Sequence, residues 1–323
     1  MDRPRVVGLG MAALDILLRA RSLPTWDSGT RLDAVAVEGG GPAATAMVAV
    51  QRLGVRAGFV GTYGADRLGQ IKLQTLVENG VDVSHAVGVD GPEDQVVLVC
   101  VNSESGERIF SGVGGGLRQS LKVEDLSREY VTSADFLHLD GMHAAAALQA
   151  AIWMREAGKR VMLDGSATRG PVSDGLRALV GLADVVIAGA GFCPALTGRT
   201  EVRDAGSAVL DLGPRVVVQT LGREGSYTVT PTGWFHVPAF DVTVVDTTGA
   251  GDVFHGAYLV AMALGWDTRT AALFSTAVAA IKCTQLSGRR GIPTFAQTIE
   301  FLRVRGIDLP QGDEQNASSD DYR

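Results

Sequence analysis

The sequence has few of the features that mark several classes of protein. Its 323 residues include only three cysteines, Cys100, Cys193 and Cys283, which lie far apart and without CxxC spacing. We therefore predict neither a disulfide framework nor a zinc site, and a reducing cytoplasm fits this composition best. No run of 18 or more uncharged apolar residues occurs, and the opening MDRPRVVGLG lacks an apolar segment of signal-peptide length. We expect no membrane span and no secretion.

Positive charge is also scarce. The chain has 29 Lys and Arg against 36 Asp and Glu, which gives a formal net charge of −7 at pH 7. Surfaces that bind nucleic acid or anionic membranes need a basic footprint, so we expect neither partner. The G-x-x-x-x-G-K-[ST] loop of P-loop nucleotidases is absent from the sequence as well.

Glycine and apolar residues are abundant. The chain has 41 glycines and is 46% hydrophobic, which suggests many tight turns between strands and helices. Apolar strands such as RVVGLG, RVMLDG, DVVIAG and RVVVQTLG alternate with helical patterns. This alternation predicts an α/β fold with a mostly parallel sheet, which binds ligands beyond the carboxyl ends of its strands. We expect one domain over residues 1–310 and a disordered, polar tail over 311–323.

The stretch VVDTTGAGDVFHGAYL joins small residues to a carboxylate at the start of a helical pattern. DVTVV, residues 241–245, predicts a strand, and a helix is expected from Asp252. Small residues at Gly249, Ala250 and Gly251 let backbone N–H groups converge on an anion, and a helix N-terminus adds a favourable dipole. Asp252 can accept a proton from a substrate hydroxyl that attacks phosphorus. The alternative is that Asp252 only caps the helix.

The string DTTGAGDVFHGA closely resembles the C-terminal signature of the ribokinase-like, phosphofructokinase-B family of sugar kinases, and the resemblance extends over nearly the whole chain. GGGPAATAMVAVQRLG looks like the family's N-terminal glycine signature. QTLGREGSY resembles its nucleotide-side T-x-G-x-x-G loop, and GLGMAALD looks like the strand that carries its sugar-contacting Asp, here Asp15.

The resemblance implies an ATP-dependent sugar kinase with Mg²⁺, a three-layer α/β/α sandwich, and a small β-sheet lid from strands within about 12–38 and 93–118. It makes Asp252 the general base and the Gly249 to Gly251 turn the anion hole. The implied substrate residues are Asp15, Gly39, Gly40, Gly41 and Arg108, where a solvated hairpin Arg is the alternative for Arg108. The implied nucleotide residues are Thr220, Gly222, Gly225, Thr276 and Ala279. In many relatives, residues matching Asp246 and Thr248 help to hold a monovalent cation such as K⁺, with carbonyl groups of KCTQLSGRRGIP.

Several positions depart from the family pattern. Ala44 stands where the glycine signature usually has a sugar-binding Asn, and GAGFCPA lacks the N-x-x-E motif linked to magnesium. We therefore expect Mg²⁺ to arrive mainly with ATP. Gly291 stands where relatives often have Ser, which puts the cation in doubt. The motifs look most like the sulfofructose kinase branch, but Ser111 and Gly141 replace its sulfonate partners, so another ketose, a ketose phosphate or a related sugar is expected.

Other interpretations remain open. Gly8 to Ala13 fits G-x-G-x-x-A, which would suggest an NAD-dependent oxidoreductase if a long helix followed. A catalytically silent sugar-binding protein is a second alternative. His255 is expected on the helix surface or packed against neighbours, and His138 and His143 are expected to be structural. Asp164 is interpreted either as a residue that assists through water or as a turn cap. Exposed lid edges favour a homodimer.

Overall fold

A computed structural model describes residues 3–105, 107–112, 120–166, 170–310 and 322. The strands of this part of the chain are β1 (Val6–Leu9), β2 (Ala13–Ala20), β3 (Ala34–Gly40), β4 (Ala57–Val60), β5 (Thr62–Gly64), β6 (Val87–Val89), β7 (Val96–Asn102), β8 (Arg108–Gly112), β9 (Phe136–Leu139), β10 (Arg160–Ser166), β11 (Val185–Gly189), β12 (Val216–Thr220), β13 (Ser226–Thr230) and β14 (Gly233–Val237).

The α-helices of the same residues follow the glycine and capping signals of the sequence. They are α1 (Pro42–Arg52), α2 (Arg67–Val77), α3 (Arg128–Ser133), α4 (Ala144–Glu156), α5 (Asp174–Val180), α6 (Phe192–Thr197), α7 (Val202–Leu210), α8 (Ala250–Ala263), α9 (Thr268–Lys282) and α10 (Phe295–Arg303). Short 3-10 turns occur at Val123–Asp125 and Gly222–Glu224.

An eight-stranded sheet has the order β14-β13-β12-β11-β10-β9-β1-β4. Its pairs are parallel from β4 to β12, while β13 and β14 add to the edge in antiparallel pairing. Successive side chains of β1 enter different hydrophobic clusters: Val6 packs with α1, α8 and α9, and Val7 packs with α4. Helices therefore cover both faces, which confirms the predicted three-layer α/β/α architecture.

A separate four-stranded sheet has the order β3-β2-β7-β8. The β2–β3 and β7–β8 pairs are antiparallel, and the central β2–β7 pair is parallel. A cluster of Leu17, Val99 and Val101 fills one side of this sheet. These strands lie where the lid strands were expected, although residues 113–118 of the expected lid lie outside the described residues.

The structure differs from the predicted strand at residues 241–245 and from the predicted dinucleotide motif near the N-terminus. Residues 241–245 form no strand, because Val245 N and Asp246 N both donate to Cys283 O and Val244 is 59% exposed. Strand β2, rather than a long helix, follows β1, so the dinucleotide interpretation of Gly8 to Ala13 is wrong. Residues 311–323 lie outside the described part except Tyr322, which is buried in a hydrophobic cluster.

No helix in the described ranges is both long enough and apolar enough to span a bilayer.

Candidate active site

Several Asp side chains lie where the strands of the large sheet reach their C-terminal ends. Asp140 follows β9 and accepts hydrogen bonds from the N–H groups of Met11 (2.7 Å), Ala43 (3.3 Å) and Met142 (3.0 Å). Burial raises the pKa of Asp140 to about 6, although these N–H groups oppose the shift. Asp140 therefore ties the end of β1 and the start of α1 to the carboxyl end of β9.

Asp164 lies in β10, the neighbouring strand, and accepts a hydrogen bond from Ser166 N. Burial raises the pKa of Asp164 to about 7. Ser166 has a φ of +54°, a left-handed conformation that is uncommon for residues other than glycine. The carboxylate of Asp164 thus accepts a bond from the turn that follows it, in keeping with a turn cap.

Helix α8 begins directly after the small residues of the DTTGAGD turn. Gly249 precedes it with a φ of +71°, and an added Cβ would lie 3.1 Å from Gly288 O. The backbone N–H groups of Gly251 and Asp252 have no acceptor among the described residues, and Gly251 is exposed with open space at its Cβ position. The N-terminus of α8 is therefore open to a ligand, and the dipole there favours an anion.

Asp252 is the third residue of α8 and makes no side-chain cap to the helix N-terminus. Its side chain keeps some exposure to solvent. Burial raises the pKa of Asp252 to about 7; the negative charges of Asp164 and Asp140 add to this, and Arg289 opposes it. A carboxyl with a pKa near neutrality is suited to accept and release a proton.

The glycine segment lies beside Asp15 of the small sheet. Asp15 pairs with Glu38 in the β2–β3 register and is 9% exposed. Burial raises the pKa of Asp15 to about 6, while Arg289 lowers it and Glu38 raises it. A Cβ at Gly40 would collide with the Asp15 carboxylate. Gly41 has a φ of +89°, and a Cβ there would collide with the carbonyl oxygen of Met11. The segment thus leaves room for these groups only because it has no side chains.

Arg289 is a site residue that the sequence analysis missed. It is 4% exposed, and it donates to Thr45 Oγ1 (3.1 Å), Thr75 Oγ1 (3.1 Å) and Gly40 O (2.7 Å). Burial lowers its pKa to about 10, against the opposing charges of Asp15, Asp252 and Glu38. A buried cation therefore links the predicted substrate residues to the predicted base. The adjacent arginines of SGRRGIP give no sign of which one is buried.

Arg108 reaches from β8 to the turn that precedes α8. Its Nη1 donates to Thr247 Oγ1 at 2.5 Å and lies 3.7 Å from Asp246 Oδ1. This contact joins the small sheet to the turn before α8, so Arg108 is not a purely solvated hairpin residue. The structure brings it to the end of the site where the anion hole was predicted.

The predicted nucleotide residues lie along β12 and α9. Thr220 ends β12, and Gly222 and Gly225 follow it with φ values of +57° and +89°. Helix α9 packs against β13 and β14, next to this loop. Thr276 of α9 is buried and donates to Ala272 O at 2.8 Å, while Ala279 is partly exposed one turn later.

Asp246 and Thr248 are already bonded to each other and to neighbours. Asp246 Oδ1 accepts from Thr248 N (2.8 Å) and Thr248 Oγ1 (2.7 Å), and Oδ2 accepts from Ser287 N (2.9 Å). The carbonyl oxygen of Asp246 accepts from Lys282 Nζ at 2.9 Å. A monovalent cation at these atoms would lie beside the Lys282 ammonium group, whose positive charge disfavours it, so the residues present fit such an ion poorly. Sequence analysis missed Lys282.

The described residues contain no group of three or more His, Cys, Asp or Glu side chains that could hold a metal ion. His255 is 3% exposed, lies 3.5 Å from Asp164 Oδ2 and contacts the ring of His138. Burial lowers the pKa of His255 to about 3. The packed alternative for His255 is confirmed, and His143 accepts from Leu121 N at 3.0 Å, in keeping with the structural role predicted for it.

Comparison with known proteins identifies the family of this chain. A sequence profile described as pfkB family carbohydrate kinase matches residues 4–294. The ATP-dependent ribose-1-phosphate kinase of Halopiger xanaduensis is 30% identical over 301 residues, which cover 93% of this chain and 99% of the relative. The aminoimidazole riboside kinase of Salmonella typhimurium is 32% identical over 241 residues, which cover 71% of this chain and 75% of the relative.

A solved structure shares the fold. The ribokinase of Thermotoga maritima superposes with a TM-score of 0.80 and 24% identity, and the match covers 93% of this chain and 99% of that one. Both the large parallel sheet and the small separate sheet belong to this ribokinase-like architecture. The chain belongs to the pfkB family of carbohydrate kinases and is a phosphotransferase of the sugar and nucleoside kinase class.

Proposed function

We propose that this protein transfers the γ-phosphoryl group of ATP to a hydroxyl group of a small sugar, with Asp252 as the general base. The observation that carries the proposal is the start of α8, where unbonded backbone N–H groups lie beside a carboxyl whose pKa is raised to about 7. One short segment thus offers both a proton acceptor and donors for phosphate oxygens.

In this reaction, Asp252 takes the proton of the sugar hydroxyl as that oxygen attacks the γ-phosphorus. A bond forms between the sugar oxygen and phosphorus, the bond from phosphorus to the bridging oxygen breaks, and ADP leaves with that oxygen. The N–H groups of Gly249 and Gly251 from the predicted anion hole, together with that of Asp252, stabilise the charge on the transferred group. The prediction is corrected for Ala250, whose N–H group instead donates to Thr247 O at 3.2 Å. Arg108, held at Thr247, adds a positive charge near the same group.

The substrate is proposed to be a ketose, a ketose phosphate or a related sugar. Asp15 and Glu38 are neighbouring carboxylates on the small sheet, and carboxylates accept hydrogen bonds from sugar hydroxyls. A phosphorylated acceptor is supported by the ribose-1-phosphate kinase relative. The likeness to sulfofructose kinases stays a prediction.

ATP and Mg²⁺ are the proposed nucleotide and metal. Mg²⁺ neutralises charge on the phosphates when it binds, and it commonly keeps several waters and phosphate ligands rather than an all-protein cage. The T-x-G-x-x-G loop and α9 are proposed to bind the nucleotide, with Thr220, Gly222, Gly225, Thr276 and Ala279 as lining residues.

The small sheet is proposed to act as a lid and as a dimer surface. Its edge strands expose large apolar side chains, namely Val35, Val37, Ile109 and Phe110, with 60%, 53%, 49% and 55% of their surface accessible. Exposed apolar edges favour pairing with a second copy. Light scattering after size exclusion would give twice the chain mass if this is right, and the chain mass if it is wrong.

The test of the activity is ADP release from ATP and Mg²⁺ with a panel of ketoses, ketose phosphates, sulfofructose, ribose, ribose 1-phosphate and nucleosides. We expect one acceptor class to support turnover, and Asp252→Asn to lower it by roughly 10²–10⁴-fold while ATP still binds. Asp241→Asn, an exposed residue just before the turn, is the matched control. Bound ATP without turnover on any acceptor would favour the silent sugar-binding alternative.

A further inference from the structure

Lys282 is an unusual residue to find inside this protein. It is the last residue of α9, and its side chain is 0% exposed. Lysine is almost never fully buried unless its charge has a partner. Burial lowers the pKa of Lys282, while the carboxylates of Asp246 and Asp252 oppose that shift. A cation in this position therefore needs a specific reason.

The ammonium group of Lys282 lies next to the first residue of the DTTGAGD turn, which precedes α8. Nζ donates to the carbonyl oxygen of Asp246 at 2.9 Å. Cys283, the next residue, accepts bonds from Val245 N (2.8 Å) and Asp246 N (3.2 Å). These bonds attach the start of the turn to the end of α9.

The carboxylate of Asp246 is neutralised by the same arrangement. It already accepts three hydrogen bonds from Thr248 and Ser287, and Lys282 and Arg108 supply positive charge nearby. An added monovalent cation at the Asp246 carbonyl would have to share this oxygen with Nζ or displace it. It would also be repelled by a buried ammonium group a few ångströms away.

The loop that contains Gly291 lies close to the backbone of Lys282. A Cβ at Gly291 would collide with the carbonyl oxygen of Lys282. The Gly291 backbone thus packs directly on the residue that holds Asp246. The Ser that relatives often carry at this position does not fit here, so the departure at Gly291 lies in direct contact with Lys282.

We propose that the ammonium group of Lys282 is a built-in substitute for a monovalent cation beneath the anion hole, and that turnover is independent of K⁺. This inference rests on the proposed kinase function. The covalently attached charge holds Asp246 and the following turn in place, so that the N–H groups at the start of α8 stay aimed at the phosphoryl group.

The first test is a titration of the wild-type protein with KCl, in which tetramethylammonium chloride keeps the ionic strength constant. We expect the same rate of ADP release at every K⁺ concentration, and the same melting temperature for the substrate-free protein. A several-fold activation by K⁺, or a rise in melting temperature that tetramethylammonium does not give, would overturn the proposal.

The second test uses Lys282→Met, which keeps the length of the side chain and removes its charge. We expect turnover without K⁺ to fall by on the order of tenfold to a hundredfold, less than the loss of a direct oxyanion donor, and to recover in part when K⁺ is added. The melting temperature of this variant should rise with K⁺. Lys122→Met, at an exposed lysine, should behave as the wild type does.

The measurements of ADP release and of melting temperature distinguish failure of the proposed kinase function from failure of the proposed role of Lys282. If no acceptor supports ADP release, the kinase proposal fails, while the melting temperatures still decide whether Lys282→Met gains a K⁺ site. If the variant turns over at the wild-type rate without K⁺, or folds but does not respond to K⁺ in either measurement, the role of Lys282 is refuted. If the variant does not fold, the wild-type titration decides.

Discussion

Replacing Asp252 by Asn should abolish most turnover and also stabilise the fold. The folded protein raises the pKa of Asp252 from 3.8 to about 7, so at pH 8 the site holds an ionised carboxylate that its surroundings disfavour. A pKa difference of about 3 corresponds to about 4 kcal/mol. Because the side chain is partly exposed, solvent screening reduces the expected gain to about 2 kcal/mol at pH 8.

The sign of this effect depends on pH. The folded-state pKa lies above that of the unfolded chain, so the charge of Asp252 destabilises the protein above pH 4 and does so fully above pH 7. The stability gain of Asp252→Asn should therefore shrink as the pH falls from 7 towards 4. A helix-capping Asp would behave in the opposite way, because its loss would destabilise α8.

Urea unfolding of the wild type, Asp252→Asn and the control Asp241→Asn at pH 8 and pH 5 measures the gain. We expect Asp252→Asn to unfold at higher urea than the wild type at pH 8, by a smaller margin at pH 5, and Asp241→Asn to show little change at either. A variant that is less stable than the wild type at pH 8 would refute the view that burial and neighbouring charges make the ionised Asp252 destabilising.

Three further predictions follow from the same geometry. The ratio kcat/KM should rise with pH to a plateau above about 7, the pKa of Asp252; a profile that is flat down to pH 5.5 would exclude this base. Arg289→Gln removes the charge that lowers the pKa of Asp252, so the rise should move to higher pH, whereas Arg290→Gln, at an exposed partner of the small sheet, should leave it in place. Gly41→Ala combines a positive φ with a collision against the Met11 carbonyl and should cost more than the ~1 kcal/mol expected for Gly54→Ala, whose Cβ has open space; equal losses in urea unfolding would contradict this.

The sequence was sufficient to predict most of the architecture. Apolar strands alternate with helical patterns, and the start of α8 carries its own local signal in Gly249 to Asp252. Residues 241–245 are the exception. Their β-branched residues are typical of a strand, but a strand also needs a neighbour, and this segment instead bonds to the end of α9 through Cys283 O.

The residues that sequence analysis missed act over long distances in the chain. Arg289 bonds to Thr45 and Gly40, which precede it by 244 and 249 residues, and Lys282 bonds to Asp246 across 36. Both residues lie in the motif KCTQLSGRRGIP, but nothing in that motif marks either one as buried. Only the packing of α9, α1 and the small sheet brings each cation to its partner.

The carboxylates at the edge of the large sheet also change how many protons the folded chain carries. Asp164 and Asp252 both have pKa values raised to about 7 by burial, so the folded chain holds protons at pH 7 that free carboxyls would have lost. The folded protein is therefore less negative than the −7 that its composition gives. Folding at neutral pH takes up protons from the buffer, and unfolding returns them.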